Sequence, residues 1–173
     1  YISGLKVQGD NLLIFKPNSF YTYSGSLPVR QVSAHVGAYN QYVTQEVNRL
    51  VYTFCPAGVF VTDGSSVEKI SDPIKDYIKG FNPVYDAART RVITNTFAGV
   101  FGDKYLLYIG NITEPETLND VVLVYDLIRN KWTVQDGYTD FTSVLETNSW
   151  GHELYFETCV MTLKPLEPIS VLS

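Results

Sequence analysis

The chain has 173 residues, 45% of them hydrophobic and 18% charged, with a net charge of −5 and an isoelectric point near 4.9. This length and apolar content exclude a disordered segment, and the acidic balance argues against a protein that grips nucleic-acid phosphates, which needs a basic patch. The sequence has no apolar run of about eighteen residues, the length of a membrane-spanning helix, and no signal-peptide pattern. It starts at Tyr1 rather than Met, so the expectation is a piece of a longer chain. Its 13 Tyr and 9 Phe, with many Val and Thr, suit pleated, half-buried surfaces and favour an all-β fold.

The opening of the chain is written twice. Residues 11–26 (NLLIFKPNSFYTYSGS) align without a gap on residues 50–65 at a constant offset of 39. Leu12 falls on Val51, Ile14 on Thr53, Phe15 on Phe54, Pro17 on Pro56, Tyr21 on Phe60 and Gly25 on Gly64. Each copy holds two β-prone runs joined by a Pro-containing turn and closed by a Gly turn, the pattern of a hairpin. Pro17 and Pro56 lack the N–H that a ladder needs and belong in turns, as do Gly58 beside the second of them and the closing glycines Gly25 and Gly64.

Next comes the single predicted helix, over 73–79. Asp72 reads as its N-cap and Pro73 as its first position, with Ile74, Tyr77 and Ile78 on one apolar stripe and Gly80 as the stop. Further strands follow at 91–101 and 104–110 around a Gly102-Asp103 turn. A polar loop covers 111–120, and its Asn111-Ile112-Thr113 sequon matters only in a secreted protein. A hairpin then runs from Val121 to Val134 through a turn at Asp126, and a last strand lies within 153–163. The positions Leu12, Val51, Tyr105 and Leu154, read as inner-strand equivalents, are 39, 54 and 49 apart. Short sheets repeating at such spacing are the mark of a β-propeller, with blades expected near 5–35, 36–71, 88–137 and 138–173 of one all-β domain. A β-sandwich is the alternative architecture.

Residues that carry chemistry are sparse. His35 and His152 have no nucleophile motif beside them, and Cys55 and Cys159 read as reduced core thiols. Asp72, Asp76, Asp140, Glu153 and Glu157 are scattered, while Asp63, Asp103, Asp126 and Asp136 read as turn residues that bond their own backbone. A glycosidase would need two carboxylates at a fixed separation across a sugar. No phosphate loop, dinucleotide fingerprint or calcium loop is present, so no cofactor and no metal are expected and the chain reads as non-enzymatic. Trp132 and Trp150 are the candidates for a sugar-binding shelf. Aromatic residues in strands, however, more often pack between sheets.

The stretch VVLVYDLIRNKW resembles the Kelch-type pattern, in which Tyr125, Asp126 and Trp132 would build a blade, but the paired glycines of Kelch blades are missing. A closer resemblance is to propeller-like structural proteins of tailed bacteriophages, across most of residues 10–135. It rests on Asn11 to Phe15 with Ser19, Tyr21 and Gly25; on Gly37 at a crossover; on Asn48 to Tyr52, Gly58 to Phe60 and Asp63-Gly64; and on Ile70-Ser71 and Ile74. Arg91, Tyr105, Leu107, Ile109-Gly110 and Val122 to Trp132 complete it. That family carries longer, multi-blade chains, whereas this one holds about four partial blades. The resemblance implies a virion structural protein of the phage tail, of hub or nozzle type, helping to form the DNA exit channel. Its partners would be other tail or neck proteins and copies of itself in a ring, with viral DNA passing unbound and no membrane involved. The protein would be made in the host cytoplasm. The alternative is a carbohydrate-binding propeller, a lectin or receptor-binding module, using Trp132 and Trp150.

Overall fold

The computed structural model describes residues 1–26, 28–79, 81, 96–109, 121–136, 141–146 and 154–158, with Asp136 and the last two stretches described by their backbone alone. These residues form three four-stranded antiparallel sheets, a two-stranded one and one short helix. The first sheet is β1 (Gly4–Gln8), β2 (Asn11–Lys16), β3 (Ser19–Tyr23) and β4 (Arg30–Ser33), side by side in chain order. The second is β5 (Gln45–Val47), β6 (Leu50–Cys55), β7 (Gly58–Thr62) and β8 (Val67–Lys69). The third is β9 (Thr96–Phe101), β10 (Lys104–Ile109), β11 (Val121–Asp126) and β12 (Lys131–Asp136). β13 (Phe141–Glu146) pairs with β14 (Leu154–Thr158), and β13 lies close to β9.

The offset of 39 recurs in the backbone. β2 and β6 coincide residue for residue under it, as do β3 and β7. The linking turns are Pro17-Asn18 and Pro56-Ala57, and Gly25 and Gly64 share a left-handed φ of +84°. A residue with a Cβ is disfavoured there, which is why both copies carry glycine.

Several sequence expectations shift. Leu12, Val51, Tyr105 and Leu154 lie on β2, β6, β10 and β14, the second strand of each sheet or pair, and β2, β6 and β10 are interior strands of their sheets. The strands before them are short: β1 alternates Leu5-Lys6-Val7-Gln8 over only five residues, and β5, Gln45–Val47, has three, too few for a period to show. Gly58 is the first residue of β7, opposite Cys55, rather than a turn residue. Its φ of +126° and the Ser71 hydroxyl, which occupies the space a Cβ would need, leave no place for a side chain. Asp136 closes β12 instead of a turn. The helix opens as a 3-10 turn, Asp72–Ile74, and becomes α1 over Lys75–Lys79. Its N-cap position is Ser71, not Asp72, and the Ser71 side chain makes no capping bond. Asp72 instead turns back to Lys69 in an exposed 2.9 Å ion pair. The apolar stripe holds: Ile74 is buried, and Tyr77 and Ile78 pack on the core. Residues 91–95 and Gly80, Asn111, Asp140, Trp150, His152, Glu153 and Cys159 lie outside the residues whose side chains are described.

The main core runs through all three large sheets. Leu13, Phe15 and Phe20 of the first sheet contribute to it, and Phe15 stacks on Phe20 with ring centres 5.2 Å apart. Tyr52 of β6 stacks on Tyr105 of β10 at 5.3 Å, which fixes the face that the second sheet turns toward the third. Successive residues of a strand point to opposite faces. Val51, Thr53, Phe60 and Thr62 therefore look the other way, toward the first sheet, and all four are buried. The far face of the third sheet carries a separate buried cluster of Phe97, Leu106, Tyr108, Val122 and Val124.

Candidate functional site

Several side chains that bond one sheet to another lie on β1 and β5 and just before β5, while Thr22 of β3 and Arg30 of β4 donate to Gly64 O. A short 3-10 turn, Gln41–Val43, precedes β5 and is capped by Asn40, whose Oδ1 accepts from the amides of Tyr42 and Val43. Capping leaves the Asn40 Nδ2 group free to donate to the Thr96 carbonyl of β9, at 3.0 Å. Gln41 imitates a neighbouring strand: its Oε1 accepts from Leu5 N at 2.7 Å, and its Nε2 donates to Leu5 O at 2.8 Å. Gln45 reaches both ways. Its Nε2 donates to Ala98 O of β9 at 2.6 Å, and its Oε1 accepts from Lys6 Nζ of β1 at 3.3 Å. Three amide residues within six positions, Asn40, Gln41 and Gln45, thus tie β1, β5 and β9 together. Burial lowers the Lys6 pKa, and Glu46 nearby partly offsets this.

A buried hydroxyl reinforces the junction. Tyr105 donates its O–H to Val43 O at 2.9 Å, and complete burial pushes its ionisation far above the usual tyrosine range. Thr53 Oγ1 donates to Gly37 O at 2.9 Å. Gly37 packs directly on the backbone of Lys16 and Pro17, where any Cβ would collide. Ala38 N also donates to Lys16 O, and Tyr39 N to Phe54 O, so the crossover is bonded to both sheets.

Two of the aspartates bond the backbone of turns between strands. Asp63 Oδ1 accepts from the backbone and hydroxyls of both Ser65 and Ser66, which holds its carboxyl well below the usual carboxylate range. Asp126 does the same for the amides of Ile128 and Arg129 and pairs with the Arg129 guanidinium at 3.1 Å. The Arg129 amide is the first cause of its lowered pKa. Gly9-Asp10 and Gly102-Asp103 are two-residue turns with φ of +56° and +55° at glycine, the pattern of type II′ hairpins. Asn48-Arg49 has positive φ at both residues, as type I′ requires. Gln8, Asp10, Asn11, Asn48, Arg49 and Asp63 line a cleft between the first two sheets. There Gln8 Nε2 donates to Arg49 O at 2.5 Å.

The predicted site residues are separated rather than gathered. Trp132 packs against Tyr125 with ring centres 4.9 Å apart, and its indole N–H donates to Ile70 O at 2.6 Å. Both its face and its polar edge are thereby engaged in joining the third sheet to the segment after β8. Tyr125, opposite Trp132 in the ladder, donates its O–H to Asn130 Oδ1. His35 is exposed at the start of the crossover. Cys55 is a buried free thiol whose pKa burial raises. Among the described residues no three His, Cys, Asp or Glu side chains are grouped to hold a metal ion. What the junction does chemically is connect: its amides and hydroxyls are spent on carbonyls of neighbouring sheets. Sequence reasoning missed Asn40, Gln41 and Gln45. The available signal was the Asn40-Gln41 pair just ahead of β5, with Gln45 at its first position. No protein-family model matches the chain, and no curated protein sequence matches it.

Proposed function

We propose that the chain is part of a β-propeller acting as a non-enzymatic structural component of a phage virion, of tail hub or nozzle type. The observation that carries the propeller half of this reading is the junction of β1, β5 and β9. Three consecutive meander sheets turn their first strands toward one another and are tied there by Asn40, Gln41 and Gln45. Blades of a propeller meet through their first strands in this way, whereas a sandwich has only two sheets facing each other. The virion half is supported by the resemblance to phage tail proteins and by the acidic balance, which favours passage of DNA over its retention. The sugar-binding alternative loses support from Trp132, whose N–H and ring are both engaged within the fold.

The test is composition and position. In purified tailed particles encoded by the same genome, mass spectrometry is expected to find the chain, and antibody labelling to mark the tail. Absence from particles, with the protein abundant in the infected cell, overturns the virion assignment. Glycan binding abolished by Trp132→Ala in a protein of unchanged melting temperature would support the alternative.

A further inference from the structure

The second sheet packs on the first with Val51, Thr53, Phe60 and Thr62, all buried. Shifted back by 39, those positions are Leu12, Ile14, Tyr21 and Tyr23. The ladder register sets these four on one face of the first sheet with Leu5 and Val7 of β1: Leu5 stands opposite Ile14 and Ile14 opposite Tyr21, while Val7 stands opposite Leu12 and Leu12 opposite Tyr23. All six side chains belong to the face turned away from the second sheet. Leu5 is 44% and Val7 66% exposed, and the other four are half-buried. A contiguous aliphatic and aromatic face of this extent, left in water, marks an interaction surface.

The occupant follows from the repeat. The second sheet offers one face to its predecessor and the other to its successor, in chain order. The first sheet's open face is the copy of a face that, one repeat later, is covered by a sheet. We propose that this face docks a sheet from the far end of a second copy of the chain, packed as the first sheet packs on the second. Such a contact is head-to-tail, with different surfaces on the two partners, so it closes into a ring or propagates. The inference rests on the propeller part of the reading above and is independent of the virion part.

The experiment measures the mass of the purified chain over a range of concentrations by light scattering and sedimentation. Wild type is expected to associate. Leu5→Lys together with Val7→Lys is expected to weaken association at least tenfold while the circular dichroism spectrum and melting temperature persist. Should the lysine pair disturb folding, Val7→Ser serves with the same readout. A wild type that stays monomeric overturns the proposal, as does a folded lysine variant that associates as tightly as wild type. Thiol labelling of Val7→Cys above the wild-type background adds a second arm. Protection appearing only with association supports the docking surface, and protection in the monomer overturns it by showing the face covered from within the chain. Absence from virions with this association intact would remove the tail assignment alone.

Discussion

The first and second sheets share one pattern and occupy different surroundings. Under the offset of 39, β2 and β3 superimpose on β6 and β7, down to the φ of the closing glycines. Yet Phe60 is buried where its copy Tyr21 is half exposed, and Thr53 is buried where its copy is Ile14. The second sheet has neighbours on both faces, and the first has one among the described residues. Local pattern sets where a strand bends and turns; the neighbouring layer sets which of its faces is core. Thr53 and Thr62 show that even a polar residue sits in that core when a partner is provided. Thr53 donates to Gly37 O, and Thr62 Oγ1 accepts from Gly64 N and donates to Ser66 O.

The comparison breaks most sharply at the pair Phe60 and Tyr21. Phe60→Ala removes a buried ring and is expected to cost about 3–4 kcal/mol in urea unfolding. Tyr21→Ala, at the equivalent position, is expected to cost about 1 kcal/mol in dilute protein. Equal costs at low concentration would mean that the first sheet's outer face is covered within the monomer, contrary to the exposure of Leu5 and Val7 on that face. A smaller contrast comes from Thr53→Val, which keeps the shape but leaves the Gly37 carbonyl without its hydroxyl donor. About 1–2 kcal/mol is expected for that loss. Ile14→Val at the copy deletes one partly exposed methylene and should cost about 0.5 kcal/mol. If the Thr53 variant matched wild type, the crossover bond would be dispensable.

The smallest effect is a pH effect at the closing turns. Asp63 has its pKa depressed by the amides of Ser66 and Ser65, so the stability it adds is fully present above its unfolded value, about 3.9. That stability is lost as pH falls through the lower folded value. The melting-temperature gap between wild type and Asp63→Asn should therefore narrow as the pH is lowered below about 4. Ser24→Asn, in the copy that has no carboxylate, should show a gap that does not change with pH.

Much of the fold was legible because hairpins are written locally. Pro17, Pro56, Gly25 and Gly64 fix turn positions by what they cannot do or uniquely can, and Asp63 and Asp126 carry their own acceptor for the turn amides. The helix stripe of Ile74, Tyr77 and Ile78 was also plain, though its cap was misplaced by one residue. A 3-10 first turn moved the boundary, and Lys69 drew the Asp72 carboxylate away from the backbone. The first strands β1 and β5 were hard to read because they are short: Leu5-Lys6-Val7-Gln8 is a single brief alternation, and three residues of β5 show no period. The junction was illegible for a different reason. Gln41 bonds Leu5, 36 positions away, and Asn40 bonds Thr96, 56 positions away. Nothing in either neighbourhood names the other.

By itself, the sequence determined an all-β chain of repeated Pro- and Gly-punctuated hairpins with one short helix. These features depend on backbone conformations that single residues impose on their immediate neighbours. Only the tertiary structure decided which strand begins each sheet, which face of each sheet is core, and that Trp132 serves as a brace between segments. Those outcomes depend on which layer lies next to which. Packing and hydrogen bonding act across space, and the same pleated pattern is buried on both sides in one repeat and on one side in the other.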